Sequence, residues 1–106
     1  MIYSSDNYSP VPPEVLEALV DANEGYQPSY GADNQMTKVR HLIQKIFEAP
    51  DAAVYLVATG TAANSLILST LCEPWQTIFC SPVPHIHEDE CNAPEFFSGA
   101  KLTLVG

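Results

Sequence analysis

The chain has 106 residues, of which 46% are hydrophobic, a composition typical of one modest globular domain. Thirteen acidic residues against four basic ones give a formal net charge of -9, which argues against nucleic acid or an anionic membrane surface as the main partner. No apolar run approaches the roughly 20 residues that cross a bilayer, and the first residues lack the features of a secretory signal, so we expect a cytoplasmic protein.

Two amphipathic helices are predicted in the first half of the chain. A proline pair opens the first helix, and Asn23 ends it. A loop rich in tyrosine and turn residues, 26–33, follows, and such loops often carry function. The second helix is predicted to begin near Thr37 and to end before Pro50. Its solvent face is expected to carry Lys38, Arg40, Gln44 and Lys45.

Strands and a helix alternate in the second half. The segment 54–58 is β-branched, aromatic and apolar, which is typical of a strand buried on both faces. A helix is predicted from Ala62 to Leu71, then strands over 77–80 and 102–105, the last without a following turn. The order strand, helix, strand predicts a right-handed crossover in a parallel sheet. The expected fold class is therefore α/β.

The segment 59–64 carries the strongest local chemistry. A glycine turn between a buried strand and a helix exposes unpaired N–H groups at the positive end of the helix dipole, a geometry that holds a phosphate. Thr61 adds a hydroxyl and a candidate N-cap, and the small Ala62 and Ala63 would let an anion approach the backbone. An ordinary capped helix explains the local pattern equally well.

A second cluster, 84–91, contains two histidines, three carboxylates and a cysteine. Its spacing matches no standard zinc pattern, and the three cysteines of the chain form no CxxC pair, so we expect reduced thiols and no metal. The carboxylates at 88–90 are expected to form a solvated acidic turn. The alternative is a small metal-binding or interaction module whose ligands would be Cys80, His85, His87 and Cys91.

Four segments, taken in chain order, resemble the threonine aldolase and β-eliminating lyase family: 5–7, 30–33, 60–64, and His85 with Glu90. The resemblance extends through 93–102. It implies an aspartate-aminotransferase-like (fold type I) fold that binds pyridoxal 5'-phosphate (PLP), with a mostly parallel sheet and flanking helices. The N-terminal arm and helices (1–50) would lead into the start of the large PLP-binding domain (51–106), with active sites at the interfaces of a dimer or tetramer.

The resemblance also implies which residues bind the cofactor. Gly60, Thr61 and the backbone of Ala62 match positions that hold the PLP phosphate. His85 matches a histidine that stacks on the pyridine ring, and its residue type also suits general-base catalysis near neutral pH.

For the substrate, the resemblance implies two contacts and a reaction. Ser5 matches a serine that binds the substrate carboxylate, and Tyr30 with Asp33 matches a loop near the active-site entrance or a neighbouring subunit. The expected reaction cleaves the Cα–Cβ bond of threonine-type or allo-threonine-type β-hydroxy amino acids to glycine and an aldehyde, in glycine biosynthesis and threonine catabolism. Elimination from a β-substituted amino acid stays open, because the same cofactor serves both reactions.

None of the three lysines, Lys38, Lys45 and Lys101, matches the lysine that forms the Schiff base in this family. The resemblance places that lysine further along the family's chain. We therefore expect the 106-residue polypeptide to be inactive alone, and to associate as a homo-oligomer with its missing C-terminal portion.

Overall fold

A computed structural model of the chain describes residues 8–106, which form two compact units joined between Val54 and Tyr55. Within the described residues, no helix has the length and apolar character needed to cross a membrane. The elements in chain order are α1 (Pro13–Ala22), α2 (Asn34–Ile46), α3 (Gly60–Leu71), β1 (Thr77–Cys80), α4 (His85–Glu88), α5 (Ala93–Ser98) and β2 (Lys101–Leu104).

The helix α1 has the predicted bounds. Proline occupies its first turn, where the missing N–H would have had no helical partner. Asn23 caps the other end, with its N–H donating to the carbonyl of Val20 at 3.2 Å. Gly25 then has a φ of +67°, a left-handed conformation that glycine adopts without steric cost.

The helix α2 begins at Asn34, three residues before the predicted start at Thr37. The side chain of Asp33 accepts a hydrogen bond from the Met36 N–H at 2.7 Å, so Asp33 is the N-cap. Aspartate is one of the preferred capping residues, so Asp33 marks the start of this helix in the sequence. The spacing of the apolar residues alone does not show that start.

Two residues expected on the solvent face of α2 are half-buried instead. The guanidinium of Arg40 donates to the carbonyl of Gly31 at 3.1 Å, and the Gln44 amide donates to the carbonyl of Ala52 at 2.8 Å. These side chains fix the loops on either side of the helix, a role that helical periodicity cannot distinguish from solvation.

The second unit is built on a parallel pair of strands, as the α/β prediction required. β1 has the predicted bounds and pairs with β2 in a register that runs from Thr77 opposite Lys101 to Cys80 opposite Leu104. The buried apolar residues Ala100 and Leu102 lie at the start of β2. The helix α3 packs against α5 in the same unit.

The segment 54–58 is not a strand, which corrects the sequence prediction. Its side chains are mostly exposed, with Tyr55 at 82% and Leu56 at 56%. A strand requires a hydrogen-bonded neighbour, and in residues 8–106 only β1 and β2 pair with each other. The β-branched composition of 54–58 indicates a propensity for extended structure, but it does not supply a strand with which the segment could pair.

Two short helices, α4 and α5, lie in a part of the chain for which the sequence predicted only an acidic turn. Proline at the start of α5 and a left-handed Gly99 (φ +70°) at its end delimit that helix. Pro84 precedes α4, and the Asp89 N–H closes it on the carbonyl of His85 at 2.9 Å. His85 is the first residue of α4, and its side chain contacts Glu90 just beyond the end of that helix.

Candidate active site

The first turn of α3 is capped by Thr59 rather than by Thr61, which corrects the sequence prediction. The Thr59 hydroxyl accepts from the Ala62 N–H at 3.1 Å, while its carbonyl accepts from the Ala63 N–H at 3.1 Å. Thr59 has the extended backbone of an N-cap, with φ -143° and ψ 158°. Thr61 is thus the second residue of the helix.

This capping leaves two backbone donors at the start of α3. Within residues 8–106, the N–H groups of Gly60 and Thr61 and the Thr61 hydroxyl make no hydrogen bond. A Cβ built on Gly60 would meet nothing within 4 Å, so the space beside these donors is open. Free donors, open space and the positive end of a twelve-residue helix suit a phosphate.

The predicted contact through Ala62 is more constrained. Its N–H already donates to Thr59, so an anion that uses this donor has to share it with the capping hydroxyl or displace that hydroxyl. The binding of a phosphate by Ala62 stays a prediction, and the structure fits Gly60 and Thr61 more directly.

His85 is held from one side and open on the other. Its Nδ1 lies 2.7 Å from Oε1 of Glu90, and the His85 side chain is 66% exposed whereas that of Glu90 is fully buried. Oε1 also accepts a 2.7 Å hydrogen bond from the side-chain amide of Asn64. In the tautomer in which the His85 Nδ1–H donates to this oxygen, the lone pair of the ring lies on Nε2.

The contact of Asn64 with Glu90 connects the imidazole to the candidate phosphate site. Asn64 follows Gly60 by four residues on α3, so the two positions lie on the same side of the helix, one turn apart. The sequence placed these residues in separate segments, 60–64 and 85–90. The structure joins those segments across 26 positions through one carboxylate oxygen.

The burial of Glu90 contradicts the expectation of a solvated acidic turn at 88–90. Asp89 and Glu88 are exposed, but Glu90 is only 2% exposed and its second oxygen, Oε2, is buried without a partner among the described residues. Three adjacent carboxylates look alike in sequence. The sequence feature that singles out Glu90 is its place five residues after His85 in the family resemblance. That feature does not reveal the contact of Glu90 with Asn64.

The other predicted residues have the following positions. Tyr30 belongs to the first unit, where its side chain is fully exposed and its φ is +60°, and Asp33 caps α2. The substrate contact of Tyr30 stays a prediction. Ser5, predicted to bind the substrate carboxylate, lies outside the described residues. Lys38, Lys45 and Lys101 are all exposed.

The metal-binding alternative finds no support in the described part of the chain. Within residues 8–106, no three His, Cys, Asp or Glu side chains stand close enough together to hold a metal ion. His87, one of the four suggested ligands, instead lies 3.7 Å from the carboxylate of Glu88. The described cysteines, including Cys80 and Cys91, are free thiols.

Comparison with known proteins shows the family to which the chain belongs. The model of a family described as "Beta-eliminating lyase" matches residues 3–106, and the chain belongs to that family. A solved structure of threonine aldolase from Leishmania major superposes with a TM-score of 0.84 at 28% identity, covering 92% of this chain and 28% of that one. The fold is that of the corresponding part of a threonine aldolase, fold type I.

The more similar sequences are low specificity L-threonine aldolases. The protein from Pseudomonas aeruginosa is 43% identical over 104 residues, which are 97% of this chain and 30% of that protein. The protein from Pseudomonas sp. (strain NCIMB 10558) is 45% identical over 101 residues, 94% of this chain and 29% of that protein. The chain thus spans about 30% of the length of the curated relatives it matches.

Proposed function

We propose that the full-length protein is a PLP-dependent lyase that cleaves the Cα–Cβ bond of threonine-type and allo-threonine-type amino acids to glycine and an aldehyde. The observation that carries this proposal is 43–45% identity to two relatives that bear the name low specificity L-threonine aldolase. The geometry of the second unit supports the proposal, because α3 begins with unpaired N–H groups and its Asn64 bonds to the carboxylate that contacts His85.

The residues at the start of α3 fit the cofactor phosphate. In this proposal, the N–H groups of Gly60 and Thr61 and the Thr61 hydroxyl donate to the phosphate oxygens, with the backbone of Ala62 as a further contact. The absence of a side chain at Gly60 lets the anion reach the backbone. When bound, PLP accepts the electron pair released as the Cα–Cβ bond breaks.

His85 has two roles in the proposal. Its ring would stack on the cofactor ring and limit the motion of that ring, and Nε2 would accept the proton of the substrate β-hydroxyl as the carbon–carbon bond breaks. The contact of Nδ1 with Glu90 supports the second role, because a hydrogen bond donated by Nδ1 would leave the lone pair on Nε2 of a side chain that is 66% exposed. Ser5 would bind the substrate carboxylate and Tyr30 would line the entrance.

A substrate panel tests the reaction. The full-length protein is incubated with L-threonine, L-allo-threonine and a β-substituted alanine, and glycine, aldehyde, pyruvate and ammonia are quantified. Glycine with an equal amount of aldehyde supports the aldolase. Pyruvate and ammonia from the substituted alanine, without glycine from either threonine, would replace it by a β-eliminating enzyme, the second reaction that the family description favours.

The 106-residue chain, assayed beside the full-length protein, tests the assignment of the lysine. We expect no turnover from the chain alone, because its lysines are exposed and none matches the family's Schiff-base position. Turnover by the chain alone would contradict that assignment.

The proposal extends to the setting of the enzyme. Family membership supports a homo-oligomer, dimer or tetramer, and the net negative charge supports a small-molecule partner rather than nucleic acid or a membrane. A cytoplasmic location is part of the same proposal. The products would place the reaction in threonine catabolism and glycine supply.

A further inference from the structure

Glu90 is a buried acid for which the proposed reaction has no direct use. Its side chain is fully buried, although the carboxylates that precede it at 88 and 89 are exposed. Removing a carboxylate from water carries a large free-energy cost unless hydrogen bonds replace its hydration. Here the Asn64 amide donates to Oε1 at 2.7 Å, and Nδ1 of His85 lies 2.7 Å from the same oxygen. Oε2 has no partner among the described residues.

The geometry points to Asn64 and Glu90 as a positioning pair that fixes the ring orientation and the tautomer of His85. Asn64 holds Oε1 of Glu90, and Oε1 holds the Nδ1–H of His85, so that Nε2 keeps its lone pair on the exposed side of the ring. This inference rests on the proposed function for its catalytic consequence. Its structural content, the tautomer of one histidine, is independent of any reaction.

Asn64 suits this role because of its chemistry and its place on α3. An amide N–H₂ donates to a carboxylate oxygen, whereas an aspartate at the same position would repel it. Asn64 is one turn from Gly60, so the same helix that offers the free N–H groups also sets where the carboxylate sits. The pair thereby fixes the imidazole relative to the start of α3.

The two hydrogen bonds share a single oxygen, which makes the conservative variant informative. In Glu90→Gln, the amide oxygen can accept from both Asn64 and His85, with the amide N–H₂ at the position of Oε2. In Glu90→Leu neither bond can form. A positioning role therefore predicts that glutamine restores what leucine removes, apart from the contribution of the negative charge.

The first measurement reads the tautomer directly. Histidine ring nitrogens are labelled with ¹⁵N in the full-length protein without cofactor, and the signals of His85 are assigned with a His85→Asn variant. We expect a protonated Nδ1 and an unprotonated Nε2 in the wild type and in Glu90→Gln, and a mixture of tautomers in Glu90→Leu and Asn64→Ala. An unprotonated Nδ1 in the wild type, or unchanged signals in both disrupting variants, overturns the inference.

The second measurement reads the consequence for catalysis. We expect Asn64→Ala and Glu90→Leu to lower kcat about 10- to 100-fold with a smaller change in KM, because a misplaced catalytic group slows the reacting step more than binding. Asp89→Asn, which removes an exposed neighbouring charge, is the matched control and should retain wild-type kcat. Thermal unfolding of every variant identifies a general loss of structure. If Glu90→Leu is unfolded, the kcat and the tautomer of Glu90→Gln and Asn64→Ala decide whether the inference holds.

The two measurements separate this inference from the proposed function. A wild-type protein without aldol cleavage, but with the expected tautomer and its loss in the variants, would sink the reaction and leave the positioning pair. An active wild type in which Asn64→Ala keeps both kcat and the tautomer would do the reverse.

Discussion

His85 and His87 stand two residues apart on α4, yet their surroundings differ. The Nδ1 of His85 bonds to a buried carboxylate at 2.7 Å, whereas the Nε2 of His87 lies 3.7 Å from the exposed carboxylate of Glu88. A hydrogen bond to a desolvated group is directional and fixes the ring, while an exposed contact of that length is weak and screened by water. Only His85 therefore has the fixed orientation that a catalytic imidazole requires.

This difference predicts the outcome of a pair of substitutions in the full-length protein. His85→Ala should lower kcat/KM for threonine cleavage by about 10²- to 10⁴-fold, the usual contribution of a positioned acid–base group, and should weaken PLP retention through the lost ring contact. His87→Ala is the control and should leave both values near those of the wild type. Steady-state kinetics and cofactor absorbance after dialysis measure the two effects. Unchanged values in His85→Ala would remove this residue from the site.

The two threonines at the start of α3 allow capping and ligand binding to be separated. Thr61→Val should weaken PLP binding by about 1–3 kcal/mol, the value of a hydrogen bond to a charged group, and should leave the urea unfolding midpoint nearly unchanged. Thr59→Val should lower the free energy of unfolding by about 1 kcal/mol through the lost cap. Cofactor titration and urea denaturation of both variants decide the assignment. The opposite pattern would make Thr61 the structural residue.

At the scale of elements, α3 joins the two parts of the site. Its first turn carries the free N–H groups of Gly60 and Thr61, and its second turn carries Asn64. Because an α-helix is a stiff rod with a fixed rise per residue, the spacing between these groups is set by geometry and not by loop conformation. A change at the start of α3 can therefore affect ligand binding without altering the imidazole.

Gly60→Ala tests that separation. Gly60 has no left-handed backbone and open space around its Cα, so alanine should leave the free energy of unfolding unchanged or raise it by up to about 1 kcal/mol. The added methyl group stands where an anion would approach, so the affinity for PLP should fall. Denaturation and cofactor titration are measured on the same preparation. Wild-type affinity in Gly60→Ala would exclude close approach of the phosphate at this position.

Much of the element pattern could be predicted from local sequence, and the site could not be completed from it. Thr77–Cys80 was predicted to the residue because its composition and its flanking turns agree. The segment 54–58 was mispredicted because propensity does not supply a pairing partner. The candidate phosphate-binding turn is indicated by the glycine at 60. Its connection to His85 is not, because the contact of Asn64 with Glu90 spans 26 positions.

At the scale of the whole molecule, the described chain leaves many large apolar side chains exposed. Examples in the second unit are Leu71 at 72%, Trp75 at 81% and Phe79 at 68%. The segment beginning at Tyr55 adds further exposed apolar residues. Large apolar side chains that adjoin one another on a surface are typical of regions that become covered by protein. Together with a family that is expected to form its active sites between subunits, this exposure favours association.

Light scattering after size exclusion tests that expectation. We expect the full-length protein to elute as a dimer or tetramer at micromolar concentration. If the exposed side chain of Trp75 lies in the interface, Trp75→Glu should shift the protein toward a smaller species. A neutral control is Glu73→Gln, at a nearby exposed position. A monomer that retains full activity would contradict a shared active site.

The separation of 26 positions between Asn64 and Glu90 also determines when the imidazole of His85 becomes oriented during folding. The intervening chain includes β1 and α4, so an early species in which only α3 has formed presents backbone donors but no oriented histidine. Closing so long a loop is slower than forming a helix turn. A refolding chain should therefore bind PLP weakly at first, through the backbone N–H groups of α3. The affinity should rise only after Glu90 has formed its hydrogen bond with Asn64.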